Sequence, residues 1–446
     1  MTSSRVVPEP GDDGATSHSG APAGPPEPSG SRARVVLSSF LGSTIEWFDF
    51  YIYGLASGLY FAKEFFPGAN PLVGLIAAFG AMAGGFLVRP LGGIIGGHFG
   101  DKYGRKRVLV ASMIVMGAST FLVGLVPGYA RIGVWAPILL VLLRLVQGIG
   151  AGAEWGGGAL MVIEHFAHRR RGFWGSIGVL GVYSGITIST LLFYAVSKLP
   201  ADTQQIAWRI PFLCSAVLIV IGLWIRAGVA DSPAFAQRRT HAKVPVFALL
   251  RRRWPRVLLG IALAIGPAVP YQVYVTFGNS YGKMMDFPVS TLLLMQLVAS
   301  VLAMVLAPAF GALSDVLGRR PVVIAGCVVL CPSAFWFFTA INDGNGATAM
   351  AALIVLEVGH SMLYGPQSAM LSELYDTGVR YTGVSVAYQI AGALSGLAPI
   401  ISASLLEAAG GPPHVLWVPA VLVVTSLGTV MAAAVTKESA RHPLPA

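Results

Sequence analysis

Long apolar runs separated by short polar turns recur along the chain, and twelve of them approach or exceed the 18 residues a helix needs to cross a bilayer. They lie near 35–61, 71–99, 107–126, 136–166, 169–198, 208–228, 254–280, 287–313, 321–340, 347–371, 381–407 and 413–435. Residues 1–30 are rich in Pro, Gly, Ser and Ala, have no apolar segment, and read as a disordered tail. The longest polar stretch, Asp231 to Arg253, falls between the sixth and seventh spans. The pattern predicts an all-α integral membrane protein built as two six-helix halves, 35–228 and 254–435, joined by a loop over 229–253. Tails over 1–34 and 436–446 complete the expected layout.

The polar turns carry a repeat. After the second span the chain reads Gly97-His98-Phe99-Gly100-Asp101-Lys102-Tyr103-Gly104-Arg105-Lys106-Arg107. Its skeleton, Gly-x3-Asp-x2-Gly-Arg-basic, returns at Gly311, Asp315, Gly318, Arg319 and Arg320. An acid followed seven residues later by arginine also occurs twice, as Glu164/Arg171 and Glu373/Arg380. These pairs follow their aspartates by 63 and 58 residues, the order a duplicated membrane protein would have. Glycines let such loops turn tightly, and charges at the membrane surface can clip neighbouring helices together.

Composition agrees with the spans: 55% of residues are hydrophobic and 11% charged, about half the charge of a soluble chain. The net charge of +10 would point to nucleic acid in a soluble protein, but its placement points elsewhere. With the amino terminus inside, 23 of the 30 lysines and arginines fall in inner loops and tails, so both termini are expected to be cytoplasmic. The positive charge then faces anionic lipid headgroups of the bilayer, and no nucleic acid partner is expected. Cys214, Cys327 and Cys331 all lie in apolar spans and lack metal-ligand spacing, so they read as small apolar fillers.

Seven ionisable residues sit well inside spans: Glu46, Asp49, Arg89, Arg144, Glu154, Glu357 and His360. A charge at the bilayer centre costs about 2.5–3.5 kcal/mol on insertion scales, so such residues line cavities or pair with one another. Helix rise puts Glu46, Asp49, Arg89, Glu154 and His360 in one layer, roughly 15–22 Å from the inner surface. Arg144 and Glu357 fall further out, at roughly 30 and 24 Å. Glu46, Asp49 and Tyr53 share one helical face, as do Glu357, His360, Tyr364 and Gln367, and as do Arg144, Gln147, Ala151 and Trp155. Tyr388 and Gln389 on the eleventh span join the candidate site. A structural Arg89–Glu154 pair, a satisfied buried His360, and packing roles for Tyr53, Tyr364, Tyr388 and Gln389 are the plainer alternatives.

At these residues the chain resembles the major facilitator superfamily, and within it the metabolite:proton symporter family. The resemblance runs from about Leu37 to about Val435. It rests on the two loop motifs and on Ile45-Glu46-Trp47-Phe48-Asp49-Phe50, Phe86-Leu87-Val88-Arg89-Pro90-Leu91-Gly92-Gly93, Gly152-Ala153-Glu154-Trp155-Gly156-Gly157 and Val379-Arg380-Tyr381-Thr382-Gly383-Val384. It implies twelve transmembrane helices, alternating access and no enzymatic activity. It further implies uptake of a small carboxylate-bearing metabolite, an organic acid, with a proton as coupling ion and no metal or other cofactor. Arg89 would hold the anionic group, while Asp49, Glu46 or Glu154 carries the proton.

The loop residues Asp101, Arg105, Asp315 and Arg319, with Glu164, Arg171, Glu373 and Arg380, would form the inner gate of a monomer. Proton-driven efflux and zwitterion symport (proline or betaine) are the alternatives. The sequence departs from the family pattern at Ala153, where glycine is usual, and in the seventh span, which has Pro267 and Pro270 and no acid. No nucleotide loop, His-Glu-x-x-His or nucleophile elbow is present in the sequence.

Overall fold

The computed structural model describes residues 29–68, 70–103, 105–154, 170–227, 245–376 and 379–440. The tail over 1–28 and most of the central loop lie outside these residues. Helix α1 is Ser29–Ala56, continued by a π turn at Ser57–Phe61. Among the described residues eleven further helices are long and apolar enough to cross a membrane: α2 (Pro71–Gly96), α3 (Arg107–Leu125), α4 (Trp135–Ala153), α5 (Arg171–Ser197), α6 (Ala201–Trp224), α7 (Arg253–Met284), α8 (Val289–Leu317), α9 (Arg319–Asn342), α10 (Gly346–Leu374), α11 (Thr382–Ala408) and α12 (Trp417–Val435). α1 has the length of a spanning helix too, with Glu46 and Asp49 interrupting its apolar run. The expected twelve-helix arrangement is therefore present.

The outer surface fits a lipid solvent. Val305, Val424 and Leu427 point outward with more than half of their surface exposed, an apolar coat that water would not tolerate over a whole bundle. Exposed Trp135, Trp224, Trp254 and Trp417 stand at helix ends, where amphipathic rings favour the membrane interface. The buried side of the bundle joins the halves along α5 against α8 and α2 against α11. α1 and α7 are the first helices of the two halves, and a π turn follows α1 at Ser57–Phe61 and lies within α7 at Gln272–Phe277.

Glycine sets how closely α2 and α4 approach. A Cβ on Gly152 would stand 1.9 Å from the Arg89 carbonyl oxygen, and one on Gly148 would stand 2.1 Å from that of Gly85. The two backbones therefore touch, as small residues allow in membrane helix packing. This contact brings Arg89 of α2 and Arg144 of α4 toward the same neighbours on α1.

The turn between α8 and α9 is a single residue, Gly318, at φ 108°. That conformation is open to glycine and strained for other residues. Its counterpart Gly104, between α2 and α3, lies outside the described residues. Glu438, past the end of α12, caps α9 by accepting from the backbone N–H groups of Arg319 (2.9 Å) and Arg320 (3.1 Å). Burial pushes the Glu438 carboxyl up, but the backbone N–H groups of Arg319, Ala440, Arg320 and Ser439 outweigh it and hold the group below the usual carboxylate range.

A depressed carboxyl stabilises the fold above its unfolded-state value of about 4.3 and loses that contribution as pH falls through the folded value. Glu438→Gln is expected to lower the melting temperature of the solubilised protein at neutral pH by about 1–2 °C. The gap between variant and parent should close in acid. Melting curves recorded across that range check this, and a gap that persists unchanged in acid would remove the carboxylate from the cap.

Candidate functional site

The buried charges of the first half converge on α1. Arg89 pairs with Glu46, both side chains being almost completely enclosed. The guanidinium of Arg89 also lies over the Phe50 ring at 4.7 Å, and that of Arg144 lies 4.4 Å from the same ring. Arg144 further covers the Tyr53 ring at 4.3 Å. Two cations thus share one aromatic ring, a favourable contact for each when water is excluded. Arg144 donates to Gln147, whose amide donates to Thr120 at 2.7 Å and reaches the Asp49 carbonyl at 3.4 Å. Asp49 is 1% exposed, and its charge acts on Arg144. Glu46 and Asp49 balance Arg89 and Arg144, leaving a compact, formally neutral quartet.

The sequence-based depths place Arg144 about two turns beyond Arg89. The structure packs it against Gly85, one turn from Arg89, because α2 and α4 touch there. Arg144 therefore belongs to the same layer as the other charges.

A second cluster forms where α5, α7 and α10 meet. Glu357 accepts from the hydroxyls of Tyr274 (2.6 Å) and Tyr183 (3.0 Å), and His360 Nδ1 stands 3.1 Å from it. His360 Nε2 is 3.0 Å from the Pro267 carbonyl oxygen. The rings of Tyr271, Tyr274, Tyr364 and Tyr183 surround the imidazole at centroid distances of 5.1–6.2 Å. Tyr364 meets Tyr388 of α11 through their hydroxyls at 3.4 Å, and the charge of Glu46 acts on both. The two clusters are therefore neighbours across the boundary between halves. A narrow cavity beside Glu357 and Tyr274 is lined by Asn279, Gln296 and Ser300.

Not every residue of the sequence-derived stripes reaches this centre. Gln367 donates to the Ala264 carbonyl at 3.2 Å and ties α10 to α7. Gln389 lies 3.5 Å from the Gly152 carbonyl and bridges α11 to α4. Trp155 lies outside the described residues, as does the side chain of Glu154 at the end of its helix. Tyr183, Tyr271 and Tyr274 belong to the site without having been singled out. Tyr271 and Tyr274, one turn apart after Pro270, were the available signal.

Contacts cross between the halves at both ends of the bundle. At the motif-bearing end Asp315 of α8 accepts from the backbone N–H groups of Gly172 (2.9 Å) and Phe173 (3.0 Å), capping α5 across the halves. Gly172 meets Gly311 backbone to backbone, so a Cβ there would stand 2.2 Å from the Gly311 oxygen. Arg319 pairs with Asp315 (2.8 Å) and with Glu373 (3.2 Å), and Arg171 pairs with Glu373 at 3.2 Å. Ser439 adds a hydroxyl to Glu373 and its carbonyl to Arg171. Arg380 instead donates to the carbonyls of Ser372 and Tyr375, within its own half. Gly97 continues the α2 helix, the side chains of Asp101 and Arg105 fall outside what is described, and Glu164 lies outside the described residues. At the opposite end Lys283 of α7 donates to the Leu59 carbonyl in the π turn after α1.

A family model described as Major Facilitator Superfamily matches residues 39–399, and again 300–445. The chain is 37% identical to the shikimate transporter of Escherichia coli over 422 residues, covering 92% of this chain and 96% of that one. It is 33% identical to the proline/betaine transporter of Salmonella typhimurium, covering 93% and 85% respectively. Among solved structures, a D-xylose-proton symporter superposes with a TM-score of 0.71 at 17% identity, covering 90% of this chain and 97% of that one. At that identity the last likeness speaks for the fold alone. Helices, motifs and relatives agree that this chain belongs to the Major Facilitator Superfamily and is a multi-pass secondary transporter.

Proposed function

We propose that the protein is a proton-coupled symporter that takes up a small carboxylate-bearing metabolite, with its motif-bearing end in the cytoplasm. The observation that carries this reading is the buried quartet of Glu46, Asp49, Arg89 and Arg144. A substrate carboxylate entering the layer competes with Glu46 for Arg89. The displaced side chain, enclosed and without its cation, is stable only in its neutral form, so substrate and proton load together. Release on the other side restores the Arg89–Glu46 pair and expels the proton. Shikimate, proline and betaine, named for two of the relatives, all carry a carboxylate, which supports the substrate class and leaves its members open.

Alternating access requires the two ends to open in turn. The α5 cap on Asp315 and the Arg171–Glu373 pair cross between halves at the cytoplasmic end, and Lys283 crosses at the other. In this reading they are the two gates.

Arg89→Gln is expected to reduce uptake of labelled organic acids by at least about 100-fold, because it strands a buried carboxylate. Membrane insertion, followed by a fluorescent tag, should be unchanged, and near-normal uptake would sink the assignment of Arg89. For the gate, Gly172→Ala forces a methyl group against Gly311, whereas Gly178 on the same helix has open space around it. Overpacking of about 1–3 kcal/mol should shift the gate toward open by about 5- to 150-fold in Gly172→Ala and leave Gly178→Ala unaffected. Labelling of a cysteine introduced beneath the gate reads the shift. Equal labelling in both variants would show that this contact does not hold the gate.

A further inference from the structure

The second cluster has a hydrogen count that its geometry restricts. A backbone carbonyl only accepts, so the 3.0 Å contact between His360 Nε2 and the Pro267 oxygen places a hydrogen on Nε2. A neutral imidazole then has a bare lone pair at Nδ1. That atom faces Glu357 Oε1 at 3.1 Å and the Tyr183 hydroxyl at 2.9 Å, while Tyr183 and Oε1 are 3.0 Å apart. The three atoms form a triangle of hydrogen-bond lengths. Tyr183 supplies one hydrogen, which serves one edge, and the Ser361 hydroxyl reaches Oε1 from outside the triangle at 3.5 Å, so it does not fill the Nδ1–Oε1 edge. Facing lone pairs on Nδ1 and Oε1 at 3.1 Å repel unless a second hydrogen lies between them. The other carboxylate oxygen is already served by Tyr274 at 2.6 Å.

We infer that Glu357 and His360 together form a proton-binding site in the second half, holding one exchangeable proton on the Nδ1–Oε1 edge. The route to the pair runs through the narrow cavity beside Glu357, where Asn279, Gln296 and Ser300 supply polar groups among mainly apolar walls. The proton's arrival takes the pair from a net charge of −1 to zero, whichever atom carries it. The groups facing the pair are Tyr51 of α1, Tyr183 of α5, Tyr271 and Tyr274 of α7, and Tyr364 of α10. α8 contributes the uncharged Gln296 and Ser300 to the cavity. Among the described residues no lysine or arginine forms an ion pair with either group, so the proton itself neutralises the carboxylate.

Tyr183 makes this site a reporter to the other half. It belongs to α5, while Glu357, His360, Tyr274 and Pro267 belong to α10 and α7. One turn along α5, Thr187 meets Ser300 of α8 at 3.0 Å, so the same seam is crossed twice. Losing the proton opens the Nδ1–Oε1 edge and leaves Tyr183 as the remaining bridge of the triangle. The proton site thereby biases how tightly the halves are joined at their centre. The site stands on its geometry; its use in coupling rests on the symport reading.

The test is a potentiometric titration of the full-length protein in detergent, with Glu357→Gln, His360→Gln and Tyr183→Phe, each checked for folding by size-exclusion chromatography. From alkaline to mildly acid solution the parent should take up one proton more per molecule than Glu357→Gln. Tyr183→Phe should keep that proton, and His360→Gln should move its midpoint by at least about one pH unit. Identical curves for all four proteins would overturn the site, and so would a His360→Gln curve matching the parent, which would assign the proton to Glu357 alone. Either of the Glu357 and His360 variants suffices if the other does not fold. In vesicles, Glu357→Gln is expected to lose the gradient-driven accumulation that the parent shows. A parent protein that fails to accumulate substrate would defeat the symport reading while leaving the proton count intact.

Discussion

Charge inside an apolar layer must be neutralised by the protein itself, and the first half of this bundle is arranged around that requirement. Glu46, Asp49, Arg89 and Arg144 come from three helices and are almost fully enclosed. Removing one partner strands another at a cost of about 3–5 kcal/mol. The glycine contact between α2 and α4 brings the two arginines close enough to share Phe50, and α1 supplies both acids. A quartet that is neutral and closed at rest can admit an external carboxylate only by giving up one internal pair. In the symport reading proposed above, binding and protonation are linked for that reason.

The second half solves the same problem without an arginine. Glu357 is enclosed by tyrosine hydroxyls and one imidazole, so hydrogen bonds, and in our inference a shared proton, replace the counter-ion. The motif-bearing end of the bundle uses a third device, helix termini. Asp315 caps α5 across the halves and Glu438 caps α9, in each case satisfying backbone N–H groups that a helix leaves unpaired. Asp315 and Glu438 are partly exposed, so water can substitute at these two acids, while Arg319 and Glu373 behind Asp315 are buried. The deep pairs have no such substitute.

Much of this was legible in the chain. The spans, the duplicated loop motif and the intramembrane charges follow from composition and spacing, because membrane helices carry a strong one-dimensional signal. Helical periodicity also placed Glu46, Asp49 and Tyr53 on one face, and Glu357 with His360. What it could not supply was partnership between helices. Arg89 pairs with Glu46, 43 residues away on another helix. Arg144 sits one turn from Arg89 because of a backbone contact that rise alone cannot foresee. Tyr183, Tyr271 and Tyr274 look like ordinary membrane aromatics until the fold turns their hydroxyls toward Glu357 and its surroundings. Glu438 lies in a polar tail with no motif to mark it, and its role appears only through the bare N–H groups of α9.

The most direct test of the central claim is accumulation in energised vesicles, with and without an imposed proton gradient. The panel would hold labelled shikimate, α-ketoglutarate, citrate, proline and betaine. Coupled loading of carboxylate and proton predicts that at least one acid is concentrated above equilibrium, only while the gradient stands. Equilibration without accumulation, or outward movement driven by the gradient, would contradict it.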